Sequence, residues 1–221
     1  MLDRVVPMLD ELPDGEAPAL ARWLLERAID GIALTQTGAL NRAFVREVAE
    51  LRPQWWDAHL FGPPNREDEL VPLGCLHDRL RDMRLLRRSG RRVVATARAR
   101  ALLAEPVELL DACASSLLTG DTFEAAVAEL AAALIVGGEP VDSDRLKGPV
   151  HRAILEQGWR SGAEPLSVPA VAGTIGRLFW ELEALDLVEG SLRDGLRLTP
   201  SGRRALLIGL RARALAPRTR L

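Results

Sequence analysis

Apolar positions three and four apart recur along this chain in two matching series. In the first, Leu20, Trp23, Leu24 and Ala28 set one stripe on a helix over residues 17–30, a second helical pattern covers residues 41–51, and Leu73, Leu76, Leu80 and Met83 stripe a third. Then the period changes. Two short apolar runs, Leu85-Leu86 and Val93-Val94-Ala95, flank a glycine-bearing polar segment from Arg87 to Arg92, which predicts a β-hairpin. Thr96 follows as the cap of a further helix through an Arg/Ala/Leu run that favours helical structure.

Roughly a hundred residues later the series returns. Residues 123–136 match 17–30, residues 146–157 match 41–51, and Val171, Ile175, Leu178, Leu182 and Leu185 stripe a third helix. A hairpin over Leu187-Val188 and Leu196-Arg197-Leu198 comes next, then Thr199 as a cap and the run Ser-Gly-Arg-Arg-Ala-Leu-Leu. Glycine ends the first helix of each series, Gly31 in one and Gly137-Gly138 in the other, and tryptophan follows each second helix, Trp55-Trp56 and Trp159. Four corresponding elements in the same order make internal duplication the better account. The predicted class is mainly α: two tandem winged-helix-like units, each of three helices and a β-hairpin wing. Residues 1–105 form the first unit with its N-terminal helix, 106–120 a connecting helix, and 121–221 the second unit with a basic C-terminal tail.

Charge sharpens this picture. The net charge is -2, yet residues 79–100 hold nine arginines against Asp82 alone, and residues 191–221 hold eight against Asp194. Two basic hairpins are thus set into an acidic body. Lys147 is the only lysine. The apolar run from Ala125 to Val136 is broken by Glu129 and is too short to span a bilayer of roughly 20 helical residues, so it predicts a buried helix and no membrane association. Asp3 and Pro7 stand where a secretory signal would need an unbroken apolar stretch, and Cys75 and Cys113 fit free thiols, so the expected location is the cytoplasm.

Within this frame Leu198-Thr-Pro-Ser-Gly-Arg-Arg-Ala-Leu resembles the segment that closes the wing in many bacterial winged-helix proteins. Gly31-Ile-Ala-Leu-Thr-Gln-Thr-Gly, Asn65-Arg-Glu-Asp and the first hairpin together resemble the helical C-terminal region of the plasmid open-reading-frame-three family, over about residues 18–105. That resemblance implies the fold rather than an activity. Pro72 departs from a simple winged helix and must lie in the first turn of its helix or kink it.

The candidate chemistry follows from the wings. Arg84, Arg87, Arg88, Arg91 and Arg92 cluster on the first hairpin, where guanidinium groups suit phosphate, and the second offers Arg193 and Arg197. The bland alternative is a solvated basic surface. The third helices leave Val71, Gly74, Cys75, Asp78 and Asp82 outward in one unit, and Gly173, Gly176, Trp180 and Glu183 in the other, which suits base reading poorly. Glycine inside both helices instead predicts that Val71, Gly74 and Cys75, and Gly173, Gly176 and Trp180, form packing faces covered by the sister unit or a second subunit; the alternative is that both glycines only loosen helix starts near Pro72 and Pro169. Asp57, His59, Cys75 and His77 are the one thinkable catalytic or metal cluster, but Cys75 and His77 are two apart on a helix and point different ways. No catalytic residue, metal or cofactor is expected. The tryptophans are read as closing each unit's core, with base stacking the weaker alternative.

The expectation is a non-catalytic accessory or regulatory protein that contacts nucleic-acid backbones through its wings. The rival is a winged-helix protein-interaction or oligomerisation module, pairing with a protein partner or a second copy through the third helices.

Overall fold

The computed structural model describes residues 12, 14–137, 141–191 and 195–216, and over these the chain is mainly helical with small antiparallel sheets. Two compact units are distinguished, Ala17–Leu109 and Leu110–Leu221, the second including the segment Met1–Glu16. Glu16 is tied there by its N–H, which donates to Ser201 Oγ at 2.9 Å.

The unit Ala17–Leu109 begins with α1 (Ala19–Arg27), β1 (Ile32–Ala33) and α2 (Arg42–Leu51). Asn41 starts α2 by accepting the Phe44 N–H, an N-cap worth about 1 kcal/mol. A 3-10 turn at Pro53–Trp55, the short α3 (Ala58–Phe61) and a second 3-10 turn at Glu67–Glu69 lead into α4 (Val71–Asp82). Pro72 sits in the first turn of α4, where its missing N–H costs nothing. The hairpin β2 (Leu86–Ser89) and β3 (Arg92–Ala95) follows, with Leu86 opposite Ala95 and Ser89 opposite Arg92. β1 pairs with β3 on its free side, giving the order β1-β3-β2. α5 (Ala97–Ala104) packs back on α1. Leu24, Leu25, Val45, Val48, Leu73, Leu80 and Leu85 are fully buried, so the leucine stripes meet in one core.

After α6 (Pro106–Leu117), the order repeats: α7 (Phe123–Ile135), α8 (Ser143–Glu156), a small hairpin of β4 (Arg160–Ser161) and β5 (Glu164–Pro165), α9 (Val168–Ala184), the hairpin β6 (Val188–Ser191) and β7 (Gly195–Leu198), and α10 (Pro200–Leu215). Val141 makes a bridge to Leu196 where β1 meets β3 in the other unit.

The likeness reaches single atoms at the joint between the third helix and the hairpin. Arg84 and Asp186 take positive φ values of 58° and 55°, rare for side-chain-bearing residues. The next residue then turns back, Leu85 N–H donating to Leu80 O and Leu187 N–H to Leu182 O. The Thr96 hydroxyl donates to Arg84 O and accepts the Ala99 N–H, and the Thr199 hydroxyl donates to Asp186 O and accepts the Gly202 N–H. One threonine therefore caps the following helix and holds the turn before the hairpin.

Burial explains two charged residues that the apolar pattern left unplaced. Glu129 accepts from Arg213 Nε at 3.1 Å across the α7–α10 contact, and Arg213 also pairs with Asp121 at 3.1 Å and donates to Gly120 O. Arg213 is buried, whereas both carboxylates keep some contact with water and are screened. Replacing Arg213 by Met should therefore cost about 1–2 kcal/mol, less than breaking a fully buried pair. Urea unfolding of the full chain measures it, and an unchanged midpoint would show that the cluster contributes nothing net. A second pair, Arg204 with Asp111, joins through two 2.8 Å bonds, and these raise the Arg204 pKa further above its ordinary value.

Candidate functional site

The basic hairpin of the unit Ala17–Leu109 is held by its own ladder, and the register decides where its arginines point. Leu86, Val93 and Ala95 turn inward and are buried, so Arg87 and Arg92 share the outer face, diagonal to one another. Gly90 has φ 62°, as the two-residue turn Gly90–Arg91 requires. Arg84, Arg87, Arg88, Arg91 and Arg92 are all exposed. Among the described residues none of the five forms an ion pair, whereas some arginines of the body do, among them Arg22 with Glu26, Arg27 with Glu47, Arg204 with Asp111 and Arg213 with Glu129. Only backbone carbonyls hold two of them, Gly90 O accepting from Arg88 Nε and Asp30 O from Arg92 Nη1.

The second hairpin is different. Arg197 is exposed and lies directly opposite Glu189 in the strand register, so an acidic neighbour faces it where the first hairpin has none. Arg193 lies outside the described residues.

The third helices depart from the expected faces. Cys75 is buried in α4 rather than outward, and His77 is buried with it, because the loop that ends in Glu67–Glu69 folds against this helix and covers a second side. Val71 stays exposed, as do Asp78 and Asp82. In α9, Gly173 and Trp180 are exposed and Gly176 is half-buried. A Cβ on Gly74, Gly173 or Gly176 would meet no atom within 4 Å. Close approach of another helix therefore does not account for these glycines within the chain. Trp55, Trp56 and Trp159 are half-buried: Trp56 Nε1 donates to Gly62 O at 2.6 Å, Arg52 lies over Trp55, and Trp159 tilts against Phe123.

The covering loop builds a feature that helix spacing could not disclose. Glu67 reaches α4 and the β1–α2 turn together, one oxygen accepting the Leu40 N–H at 2.6 Å and the other meeting His77 Nδ1 at 2.7 Å. The pair forms part of a cleft of about 460 Å3 lined by Thr35, Thr37 and Gly38 from the turn, Asn65 to Asp68 from the loop, and Gly74, Asp78 and Arg81 from α4. His77 Nε2 is buried without a hydrogen-bond partner. Thus the turn Thr35–Leu40 and the segment Asn65–Asp68, far apart in sequence, meet at one place; the ten-residue gap between Glu67 and His77 crosses a loop and carries no periodic signal. Asp57, His59, Cys75 and His77 form no metal cluster, and no group of three or more metal-ligating side chains occurs among the described residues. No helix of the described chain is long and apolar enough to cross a membrane.

No curated protein and no solved structure matches this chain. A family model does, and its match falls almost on the bounds of the compact unit Ala17–Leu109 that carries the arginine hairpin and the cleft. Residues 19–108 are similar to the Y4jL N-terminal domain family.

Proposed function

We propose that the two units are winged-helix-like and that the chain binds nucleic acid non-catalytically, by contacts to the phosphate backbone from the first hairpin. The observation that carries this reading is the density of positive charge at one hairpin. Arg84, Arg87, Arg88, Arg91 and Arg92 are all exposed within nine residues and have no carboxylate partner among the described residues. Unneutralised guanidinium groups at this density repel one another, and phosphate relieves that repulsion with paired hydrogen bonds. The contacts carry no base recognition. Asp78 and Asp82 stand exposed on the third helix, where they would repel a groove's phosphates. The resemblance of residues 18–105 to the plasmid open-reading-frame-three family belongs to the same reading.

Binding to two unrelated DNA duplexes across a salt series tests it. Log K should fall linearly with log salt, with the same slope for both sequences, because each neutralised phosphate releases condensed counterion. Absence of binding at low salt would overturn the proposal.

A second reading is favoured by one observation. Trp180 stands exposed on α9 beside open space at Gly173 and Gly176, a surface suited to a second copy or another protein. Trp180→Glu should abolish any concentration-dependent dimer in sedimentation. A chain that is monomeric at all concentrations removes the second copy from this reading.

A further inference from the structure

Ser89 carries the only hydroxyl of the first hairpin, and the strand register sets its surroundings. Leu86 is buried on the inner face, so alternation puts Ser89 on the outer face with Arg87, directly opposite Arg92. Ser89 is exposed, and no hydrogen bond ties its hydroxyl among the described residues. The neighbouring guanidinium groups of Arg88 and Arg92 are held by the Gly90 and Asp30 carbonyls. Arg87 and Arg91 have no side-chain partner among the described residues and are free to turn.

Two features fit this serine to a modifying enzyme. β2 is the edge strand of the sheet β1-β3-β2, so Arg87-Arg88-Ser89 runs extended along an edge with no further strand, the form in which a cleft takes a peptide. Gly90 then turns the chain with φ 62°, which leaves Ser89 beside the tip. The two residues before the hydroxyl are both arginine, and these suit a substrate groove lined by carboxylates. A serine next to a turn is by itself ordinary. One that stands exposed, unbonded and among guanidinium groups has a receptor for phosphate already around it.

We infer that Ser89 is a phosphorylation site and that its phosphate switches the hairpin off as a nucleic-acid contact. The donor is a nucleoside triphosphate held by an arginine-directed serine kinase. Ser89 Oγ attacks the terminal phosphorus, and the new O–P bond forms as the bond from that phosphorus to the bridging oxygen breaks. The nucleoside diphosphate leaves, and the hydroxyl proton passes to the kinase's carboxylate base. The phosphate brings a charge of about −1.5 to −2 and three acceptor oxygens. Arg87 and Arg91 turn onto it with paired hydrogen bonds, and less charge is left for a nucleic-acid backbone. The acceptor site follows from the hairpin alone, whereas its consequence rests on the nucleic-acid reading.

The test incubates the full chain with an arginine-directed serine kinase and magnesium ATP, then reads mass spectrometry, phosphorus-31 NMR and duplex binding. A phosphate on Ser89 is expected, and Ser89→Ala should lack it and keep parental duplex binding after the same treatment. The phosphate should titrate below the ordinary second pKa of about 6, because guanidinium groups beside it favour the dianion. Arg91→Ala, which leaves the residues before the serine intact, should raise that midpoint part of the way back. In the phosphorylated parent the salt slope of duplex binding should fall by about 1–2, with affinity at moderate salt at least tenfold weaker. No phosphate at Ser89, a phosphate that titrates at the ordinary value, or a phosphorylated chain that binds with the parental slope would each overturn the inference. An unmodified parent that binds no duplex at low salt is a separate result: it fails the nucleic-acid reading, and the switch falls with it.

Discussion

Replacing Arg87, Arg88, Arg91 and Arg92 together by alanine should flatten the salt dependence of duplex binding by about 3–4 in slope, close to 0.9 for each phosphate no longer neutralised. At moderate salt that corresponds to a fall in affinity on the order of a hundredfold or more. Folding should be nearly intact. All four side chains are exposed, and their side-chain hydrogen bonds among the described residues go to the carbonyls of Gly90 and Asp30, for which water substitutes. Arg92 also lays its stem beside Gly31, so a small part of any stability change belongs to that packing. The double variant of Arg87 and Arg91 separates the effects, since neither residue has such a bond: about half the slope change and no shift in midpoint are expected. A quadruple variant that binds every duplex as tightly as the parent would remove the first hairpin as the contact surface.

Gly202→Ala should destabilise the protein by about 3 kcal/mol, an effect out of proportion to one methyl group. Gly202 starts α10 where the helix crosses Leu187, and an added Cβ would fall inside the van der Waals boundary of the Leu187 carbonyl oxygen. That oxygen is backbone and is already accepting the Thr199 N–H, so it cannot swing aside as a flexible side chain would. Relief requires the joint between α9, the hairpin and α10 to open, which breaks the hydrogen bonds through the Thr199 hydroxyl. Gly176→Ala is the matched control. Nothing stands within 4 Å of its Cβ, so the exchange should stabilise α9 by up to about 1 kcal/mol through helix propensity. Denaturant midpoints of the two variants shifting in opposite directions would separate a steric glycine from a permissive one. If both shift upward, the tight joint is not a constraint in solution.

Much of the architecture is legible because it is written in local rules. Leucine spacing marks the third helices, since residues three and four apart share a face whatever the rest of the chain does. Asn41, Thr96, Thr122 and Thr199 cap their helices by accepting the N–H three residues on, and Pro72 fits only where no N–H is needed. The arginine hairpin is equally plain from its composition, because exposure of a charged turn needs no partner elsewhere. The helix of residues 123–136 reads as buried, but its Glu129 is a break with no visible purpose until Arg213, 84 residues away, comes beside it.

Tertiary contact decided the rest. The assignment of Cys75 to an outward face fails because a stripe marks only the one side of a helix that the main core takes, whereas α4 is covered on a second side by the loop ending in Glu67–Glu69. The same covering brings Glu67 to His77 and Leu40 and closes the cleft between two segments that share no period. Glycine is ambiguous for a related reason: a sequence says that a side chain is missing, not what occupies its place. At Gly202 a carbonyl stands there, and at Gly74 and Gly176 there is open space, a distinction that exists only once distant parts of the chain are brought together. Amphipathic spacing and caps are set by neighbours a few residues apart and so belong to the sequence alone; the pairing of buried charges and the shape of the cleft depend on long-range packing, and only the folded chain determines them.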